Sequence, residues 1–164
     1  MTPTPTEQFI QTLQSLKPGD LSQLRGHAGL PLDQSVPGFD LFAGLWWPLR
    51  EKNQRAPRRE VAWLVAKLYA FRPLQQIPGA TLAGQLGWLL PHADDQARSR
   101  HQQRFDELLL LPLAQIEPAL QWALTVIDDG GRGLDWVQLT DKLSVWEREE
   151  TRLRWSNEFL GLTH

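Results

Sequence analysis

The chain has 164 residues, of which 41% are hydrophobic and 22% are charged, and its formal net charge is −2. These values exclude a disordered chain and leave room for one folded domain or two small helical lobes. The charge also excludes a positive field over the whole protein, so any contact with nucleic acid must come from local patches. The sequence contains no cysteine, which excludes disulfides and thiolate chemistry.

Apolar residues recur at helical spacing along almost the whole chain, and no segment keeps a period of two. This pattern predicts an all-α fold of two small packed helical bundles with about seven to nine short helices. In the first helix Phe9 and Leu13 share one face, and Pro18 ends the helix. Asp20 is expected to cap the second helix. After a turn-rich stretch, "FDLFAGLWW" at residues 39–47 predicts a buried helical face.

A polar and basic loop at residues 48–57 precedes the next predicted helix, "RREVAWLVAKLYAF". Its apolar stripe is typical of a helix that packs on a core. The stretch "RPLQQIPGA" contains two prolines and a glycine, so we expect it to be irregular. "TLAGQLGWLL" then predicts a short helix that ends before Pro91.

The chain changes character at Asp94, where "DDQARSRHQQRFDELLLL" carries its first acids at the N-terminal end of a predicted helix. We therefore expect an N-terminal helical lobe at residues 1–90 and a C-terminal helical lobe at residues 91–164. In the second lobe "PALQWALTVI" predicts a helix and "DDGGRG" predicts a loop. "DWVQLTDKLSVW" predicts a further helix that starts near Asp135.

The sequence carries no familiar catalytic or cofactor motif. No HExxH, GxSxG, phosphate-binding loop or GxGxxG pattern occurs. A hydrolase could use His92 with Asp94 and Asp95, but the same residues also suit a polar turn in which an aspartate caps the following helix. We predict no enzyme activity, no metal and no cofactor.

The eight tryptophans divide into two groups by sequence context. Those that lie among Leu, Val and Ala at core spacing are expected to be buried, because an aromatic ring buries a large area. They are Trp46, Trp63, Trp88, Trp122, Trp136 and Trp146. For Trp47 and Trp155 both core packing and stacking on bases remain open.

Arginine supplies most of the 17 basic residues, and its planar fork suits phosphate, although a GC-rich coding sequence also favours arginine. The densest group includes Arg55 in a loop, then Arg58 and Arg59 at a helix N-terminus, where backbone N–H groups also favour anions. Arg100 and Arg104 lie at i and i+4 on one helix face. Both groups are candidate phosphate contacts, and the alternative for each is a solvated surface.

The C-terminal stretch "GLDWVQLTDKLSVWEREETRLRWSNEFLG" resembles the end of the CasB family, the small subunit of the type I-E CRISPR surveillance complex Cascade. That family shows a Leu/Ile-Asp-(Trp/Tyr) start, a leucine-rich helix closing on tryptophan, and an arginine-rich segment ending in an acidic residue and Phe. The matching residues here are Leu134, Asp135, Trp136, Trp146, Arg148, Arg152, Arg154, Glu158 and Phe159. "RFDELLLL" and "APRREVAWLVAKLYA" resemble two upstream helices of the family at fitting separations.

The resemblance implies a non-enzymatic, all-helical subunit that assembles with other Cascade subunits and with a second copy of itself. Such a subunit contacts guide RNA and single-stranded target DNA, and it stabilises the displaced strand of the R-loop during antiviral defence. The resemblance also implies nucleic-acid contacts for particular basic residues. They are Arg58, the group Arg148, Arg152 and Arg154, and, as a looser fit, Arg100 and Arg104.

Two departures from the family bear on affinity. "LLLLPLAQIEPALQWA" is mostly neutral where relatives often carry arginines, and the net charge is −2, so we expect the isolated chain to bind nucleic acid weakly. A helical protein–protein adaptor without nucleic-acid contact is the alternative. The sequence has no leader-like start and no apolar run of membrane-spanning length, so we expect a cytoplasmic protein without a membrane partner.

Overall fold

A computed structural model describes the chain at residues 3–28, 46–47, 50, 57–89 and 94–161. Within these ranges the structure contains eight α-helices and no β-strand, which confirms the predicted all-α class. The helices are α1 Pro5–Gln14, α2 Pro18–Arg25, α3 Arg59–Phe71, α4 Leu82–Leu89, α5 Asp95–Leu109, α6 Glu117–Asp129, α7 Trp136–Leu143 and α8 Glu149–Phe159. A short 3₁₀ turn, Leu113–Gln115, precedes α6.

The chain divides into two compact units, Met1–Pro73 and Leu74–His164. This division lies earlier than the boundary expected near residue 90. The difference has a packing reason, because α4 contacts α6 and α8 and so belongs to the second unit. The sequence pattern at Asp94 marks the start of a helix, α5, inside that unit.

The first unit packs α2 against α3. The predicted apolar stripe of α3 is buried, as are Phe9 and Leu13 on α1. The Nε–H of Arg25 donates to the carbonyl of Ala70 at 2.9 Å and ties the end of α2 to the end of α3. Arg25 is therefore a structural cation.

Pro18 and Asp20 take different positions in α2 from those that the sequence indicates. Pro18 is the first residue of α2, where its fixed φ suits the helix, and Asp20 lies inside the first turn. The prediction that Asp20 caps the helix is therefore wrong. The predicted helix at 39–47 falls outside the described residues except for Trp46 and Trp47.

In the second unit the start of α7 is joined to the irregular stretch 74–80. The carboxylate of Asp135 accepts from the N–H groups of Gln138 and Gly79, at 3.1 and 2.8 Å, and from the Gln76 side chain at 3.0 Å. The indole N–H of Trp136 donates to the carbonyl of Leu74 at 2.8 Å. One side chain thus caps α7 and fixes a loop distant in sequence.

Aromatic pairs fill the core of the second unit. Phe105 on α5 stacks on Phe159 on α8, with ring centroids 4.2 Å apart. Trp146 and Trp155 meet edge to face at 4.9 Å, and the indole N–H of Trp146 donates to the Leu111 carbonyl. These contacts join α5, the turn after α7, and α8 in one apolar cluster.

The prediction of six core tryptophans is confirmed for Trp63, Trp136 and Trp146. It is wrong for Trp88, which is 52% exposed, because α4 turns that side chain away from α6 and α8. Trp46 and Trp122 are only half-buried. Of the two tryptophans for which both interpretations are open, Trp155 is buried and Trp47 is exposed.

Gly87 permits the closest approach between α4 and α8. A Cβ at this position would overlap the backbone carbonyl of Phe159, which cannot move away as a flexible side chain could. We therefore expect Gly87→Ala to push the two helices apart and to lower the free energy of unfolding by about 1 to 3 kcal/mol in urea titrations. Gly19→Ala is the matched control, since Gly19 is helical and a Cβ added there would meet no atom within 4 Å. Equal stability of the two variants would contradict the prediction.

Candidate nucleic-acid interface

A shallow groove of about 800 Å³ runs beside α8. Its charged lining consists of Lys142, Arg148 and Arg154 against a single acid, Glu150. The remaining lining residues are Val145, Thr151, Leu153 and Asn157. Three cations and an amide along an open groove make an arrangement that can bind a chain of phosphates. We call this surface the α8 groove.

The α8 groove follows from the helical period of α8. Glu150, Leu153, Arg154 and Asn157 recur at i, i+3, i+4 and i+7, so they share one face. The opposite face of α8 packs into the core and carries Trp155. Leu153 is 61% exposed on the groove face, which gives the basic surface an apolar component.

The turn between α7 and α8 places Arg148 at the mouth of this face. Arg148 occupies the N-cap position of α8 with an extended backbone, and its side chain makes no cap hydrogen bond. The hydroxyl of Thr151 donates to the carbonyl of Val145 at 2.9 Å and holds the turn closed. Lys142, in the last turn of α7, is thereby brought to the same groove.

The three predicted C-terminal arginines therefore separate. Arg148 and Arg154 are exposed and line the α8 groove. Arg152 is half-buried, with its guanidinium over the Trp146 ring at 5.6 Å. Its Nε atom is buried without a hydrogen-bond partner. Arg152 thus packs on the aromatic core and contributes less to the groove than the sequence indicates.

Glu158 lies close to the groove cations but faces the core. The residue is 8% exposed, and its Oε1 atom has no hydrogen-bond partner. Burial raises the pKa of this carboxyl, while a hydrogen bond with Thr81 and the charges of Arg154 and Lys142 offset part of the rise. Glu158 therefore joins α8 to the N-terminus of α4 through Thr81. Removing the carboxyl from water to make this contact is unfavourable for its charged form.

The predicted N-terminal basic group lies in the first unit. Arg58 occupies the N-cap position of α3, half-buried, with its Nε atom 4.0 Å from the Glu60 carboxylate. Arg59 is exposed at the first position of the helix. Arg55 falls outside the described residues.

Arg100 and Arg104 are both exposed on α5, as the sequence indicates. Arg100 lines a shallow depression of about 420 Å³ with Asp95, Gln96 and Ser99. Arg104 extends over the indole ring of Trp122 on α6, at 4.8 Å from the ring centroid. The two arginines therefore share a helix face but have different neighbours.

Sequence reasoning missed several residues of these surfaces. Lys142 and Asn157 line the α8 groove. Asn157 lies at i+3 from Arg154, a spacing that indicates a shared face, whereas no spacing along α7 points to Lys142. Arg132, in the glycine-rich turn, stacks on exposed Trp88 at 4.1 Å and donates to Gln85 at 2.7 Å. No sequence signal places Arg132 on Trp88, because the pair depends on how α4 meets the turn after α6.

The hydrolase alternative finds no support in the side chains that the structure describes. Asp94 accepts from the Ala97 N–H at 2.7 Å and caps α5, and Asp95 pairs with Arg98 at 3.8 Å. His92 lies outside the described residues. Within the described ranges no group of three or more His, Cys, Asp or Glu side chains is arranged to hold a metal ion. No helix in the same ranges has the length and hydrophobicity to cross a bilayer.

Comparison with known proteins agrees with this architecture. The family model described as CRISPR-associated protein Cse2 matches residues 20–159. The crystal structure of M. ruber CasB superposes with a TM-score of 0.74 at 23% identity, covering 97% of this chain and 94% of the other. No curated protein matches the chain.

Two further solved structures give the same result. A CRISPR-associated protein of the Cse2 family from Thermus thermophilus has a TM-score of 0.74 at 25% identity, covering 97% of this chain and 99% of that one. CasB from Thermobifida fusca has a TM-score of 0.72 at 16% identity, with the same coverage. At 16% identity the likeness concerns the fold alone.

The raised pKa of Glu158 predicts a pH-dependent stability. The carboxyl of Glu158 binds its proton more tightly in the folded chain than in the unfolded chain, where its pKa is near 4.5. The free energy of unfolding therefore falls as pH rises through the folded-state pKa and the carboxyl ionises. We expect Glu158→Gln to melt at a higher temperature than the parent at neutral pH, and the difference to vanish below pH 4.5. Glu150→Gln is the exposed control; a Glu158→Gln melting temperature equal to the parent's at neutral pH would contradict this.

Proposed function

Because the chain belongs to the Cse2 family of CRISPR-associated proteins, we propose that it is the non-enzymatic small subunit of a type I-E Cascade complex in antiviral defence. In this role it associates with the other Cascade subunits and with a second copy of itself. It holds single-stranded DNA beside the guide RNA–target duplex and stabilises the R-loop. Base pairing with the guide reads the sequence, so the subunit needs contacts to the backbone only.

The α8 groove is the observation that carries this proposal. Its net lining charge is positive although the whole chain is at −2. Its open shape suits an extended strand better than a compact small molecule. Lys142, Arg148 and Arg154 would each contact phosphate oxygens, and Asn157 would supply an uncharged donor.

The charges around the groove also explain why the isolated chain is expected to bind weakly. Glu147, Glu149 and Glu150 are exposed beside Arg148 and oppose the field of the groove cations. Fixing the DNA strand beside the groove, as an assembled complex would, raises the effective concentration of phosphate there. Binding then no longer depends on long-range attraction.

A protein–protein adaptor without nucleic-acid contact is the second candidate function. The surface around Trp88 favours it, because Trp88 and Ile77 are both exposed and Arg132 stacks on the indole. Exposed Trp and Arg are enriched among residues that dominate protein interfaces. Asp128 and Asp129 are exposed close by in sequence, which makes this surface unfavourable for a phosphate backbone.

The salt dependence of DNA binding separates the two functions. In a purified Cascade complex, replacing Arg148 and Arg154 together by Ala should weaken target-DNA binding and flatten the slope of log K against log salt by about 1.4, at about 0.7 for each lost phosphate contact with a single strand. Assembly should be unchanged, since both side chains are exposed.

The charge-matched control replaces Lys17 and Arg98, two exposed cations outside the α8 groove, by Ala. It should leave the slope unchanged. If the two double variants have the same slope of log K against log salt, the result favours the adaptor function and contradicts a role of the α8 groove in DNA binding.

A further inference from the structure

We propose that Arg104, His101 and Trp122 form a stacking site for a base of single-stranded nucleic acid, separate in its contacts from the α8 groove. The three side chains come from α5 and α6 and are called the Trp122 cluster. On the sequence alone, Arg100 and Arg104 are candidate phosphate contacts. The structure adds an aromatic ring to them and changes the chemistry of the site from phosphate binding to base binding.

The geometry of the cluster is that of a cation held on an indole. The Arg104 guanidinium lies 4.8 Å from the centroid of the Trp122 ring. The His101 ring meets the same indole edge to face, at 5.9 Å and 71°. His101 and Arg104 are three residues apart on α5, so they lie on adjacent turns beside the buried Phe105.

The cluster is accessible to a ligand. Arg104 is exposed, and His101 and Trp122 are half-buried. None of the described acidic side chains forms a salt bridge with Arg104. The guanidinium therefore keeps its hydrogen-bonding edge for a ligand, while the indole holds its plane.

The charge around the cluster favours nucleic acid over an apolar or a basic partner. α5 carries three arginines and three acids, but Arg100 and Arg104 share one face of the helix. Asp106, two residues after Arg104, lies on the opposite side, and Glu107 accepts from the Gln103 side chain at 3.3 Å. Arg98 is paired with Asp95 at 3.8 Å, which leaves Arg100 and Arg104 as the positive charges of this segment. A base stacks on an arginine plane or an indole face, and its phosphates are then attracted by the same positive segment.

The Trp88–Arg132 pair provides a contrast within the same chain. It has the same chemical groups at 4.1 Å, but the Arg132 Nε–H is used by Gln85 and two exposed aspartates precede the turn. The two pairs therefore contain the same groups at similar distances and differ in that the Arg132 Nε–H is already bonded to Gln85. Trp88 is consequently a matched control for Trp122.

The test compares a fluorescent oligo-dT strand with a strand of the same length in which the bases are replaced by abasic sites, using the full chain at low salt. Both strands carry the same phosphates, so only base contacts separate them. We expect the parent to bind oligo-dT about 5- to 100-fold more tightly than the abasic strand. Trp122→Leu should reduce this ratio to near one, and Trp122→Phe should retain most of it.

Trp88→Leu should leave the ratio unchanged. The inference is overturned if the parent ratio is near one, if no oligo-dT binding is detected, or if Trp88→Leu and Trp122→Leu reduce the ratio equally. If Trp122→Leu fails to fold in circular dichroism, Arg104→Gln replaces it, because that side chain is exposed. Arg104→Gln should lower the ratio, and an unchanged ratio would overturn the inference.

Failure of this inference differs from failure of the proposed function. The Arg148→Ala and Arg154→Ala pair should lower the affinity for both strands and leave their ratio intact, because those residues contact phosphate. If the parent ratio is near one while the Arg148 and Arg154 double variant still flattens the salt slope of the complex, the Trp122 cluster is removed and the α8 groove is kept. If the ratio is intact while the double variant and its charge-matched control have the same salt slope, the α8 groove is removed and the Trp122 cluster is kept.

Discussion

The carboxylate of Asp135 is the interaction on which the second unit depends. It accepts hydrogen bonds from the N-terminus of α7, from the Gly79 N–H and from Gln76, so one side chain satisfies donors from two distant parts of the chain. Hydrogen bonds to a charged acceptor are stronger than neutral ones and costly to leave unmade. The same segment aligns Leu134 with Gln76 in a single parallel bridge and directs the Trp136 indole to the Leu74 carbonyl.

Once α7 is fixed in this way, the position of the α8 groove follows. The turn after α7 carries Trp146 into the core, where it contacts Trp155 on the inner face of α8. Burying Trp155 directs the opposite face, with Leu153 and Arg154, to the surface. The packing of the aromatic core thereby leaves Arg148 and Arg154 exposed, whereas Arg152 packs on the Trp146 ring.

The positive charges of this chain can act on a nucleic acid only at short range. The net charge of −2 gives no overall attraction to nucleic acid. Salt also screens exposed charges beyond about 10 Å at moderate ionic strength. Contacts at the proposed sites, the α8 groove and the Trp122 cluster, would be short-range and would therefore not depend on the net charge of the chain. This distribution of charge would suit the proposed small subunit, to which the complex would bring the strand.

Local patterns along the chain are enough to predict the helical class, the buried stripe of α3, and helix starts at Asp94 or Asp95 and near Asp135, because helical period and capping chemistry are local properties. Arg148 and Arg154 are indicated instead by the resemblance to the family. The burial of individual tryptophans depends instead on packing between helices, since Trp88 lies among leucines in sequence and is exposed, whereas Trp155 lies between Arg154 and Ser156 and is buried. Contacts between helices likewise assign the roles of Lys142, Arg152 and Trp122, which no spacing along one helix can specify.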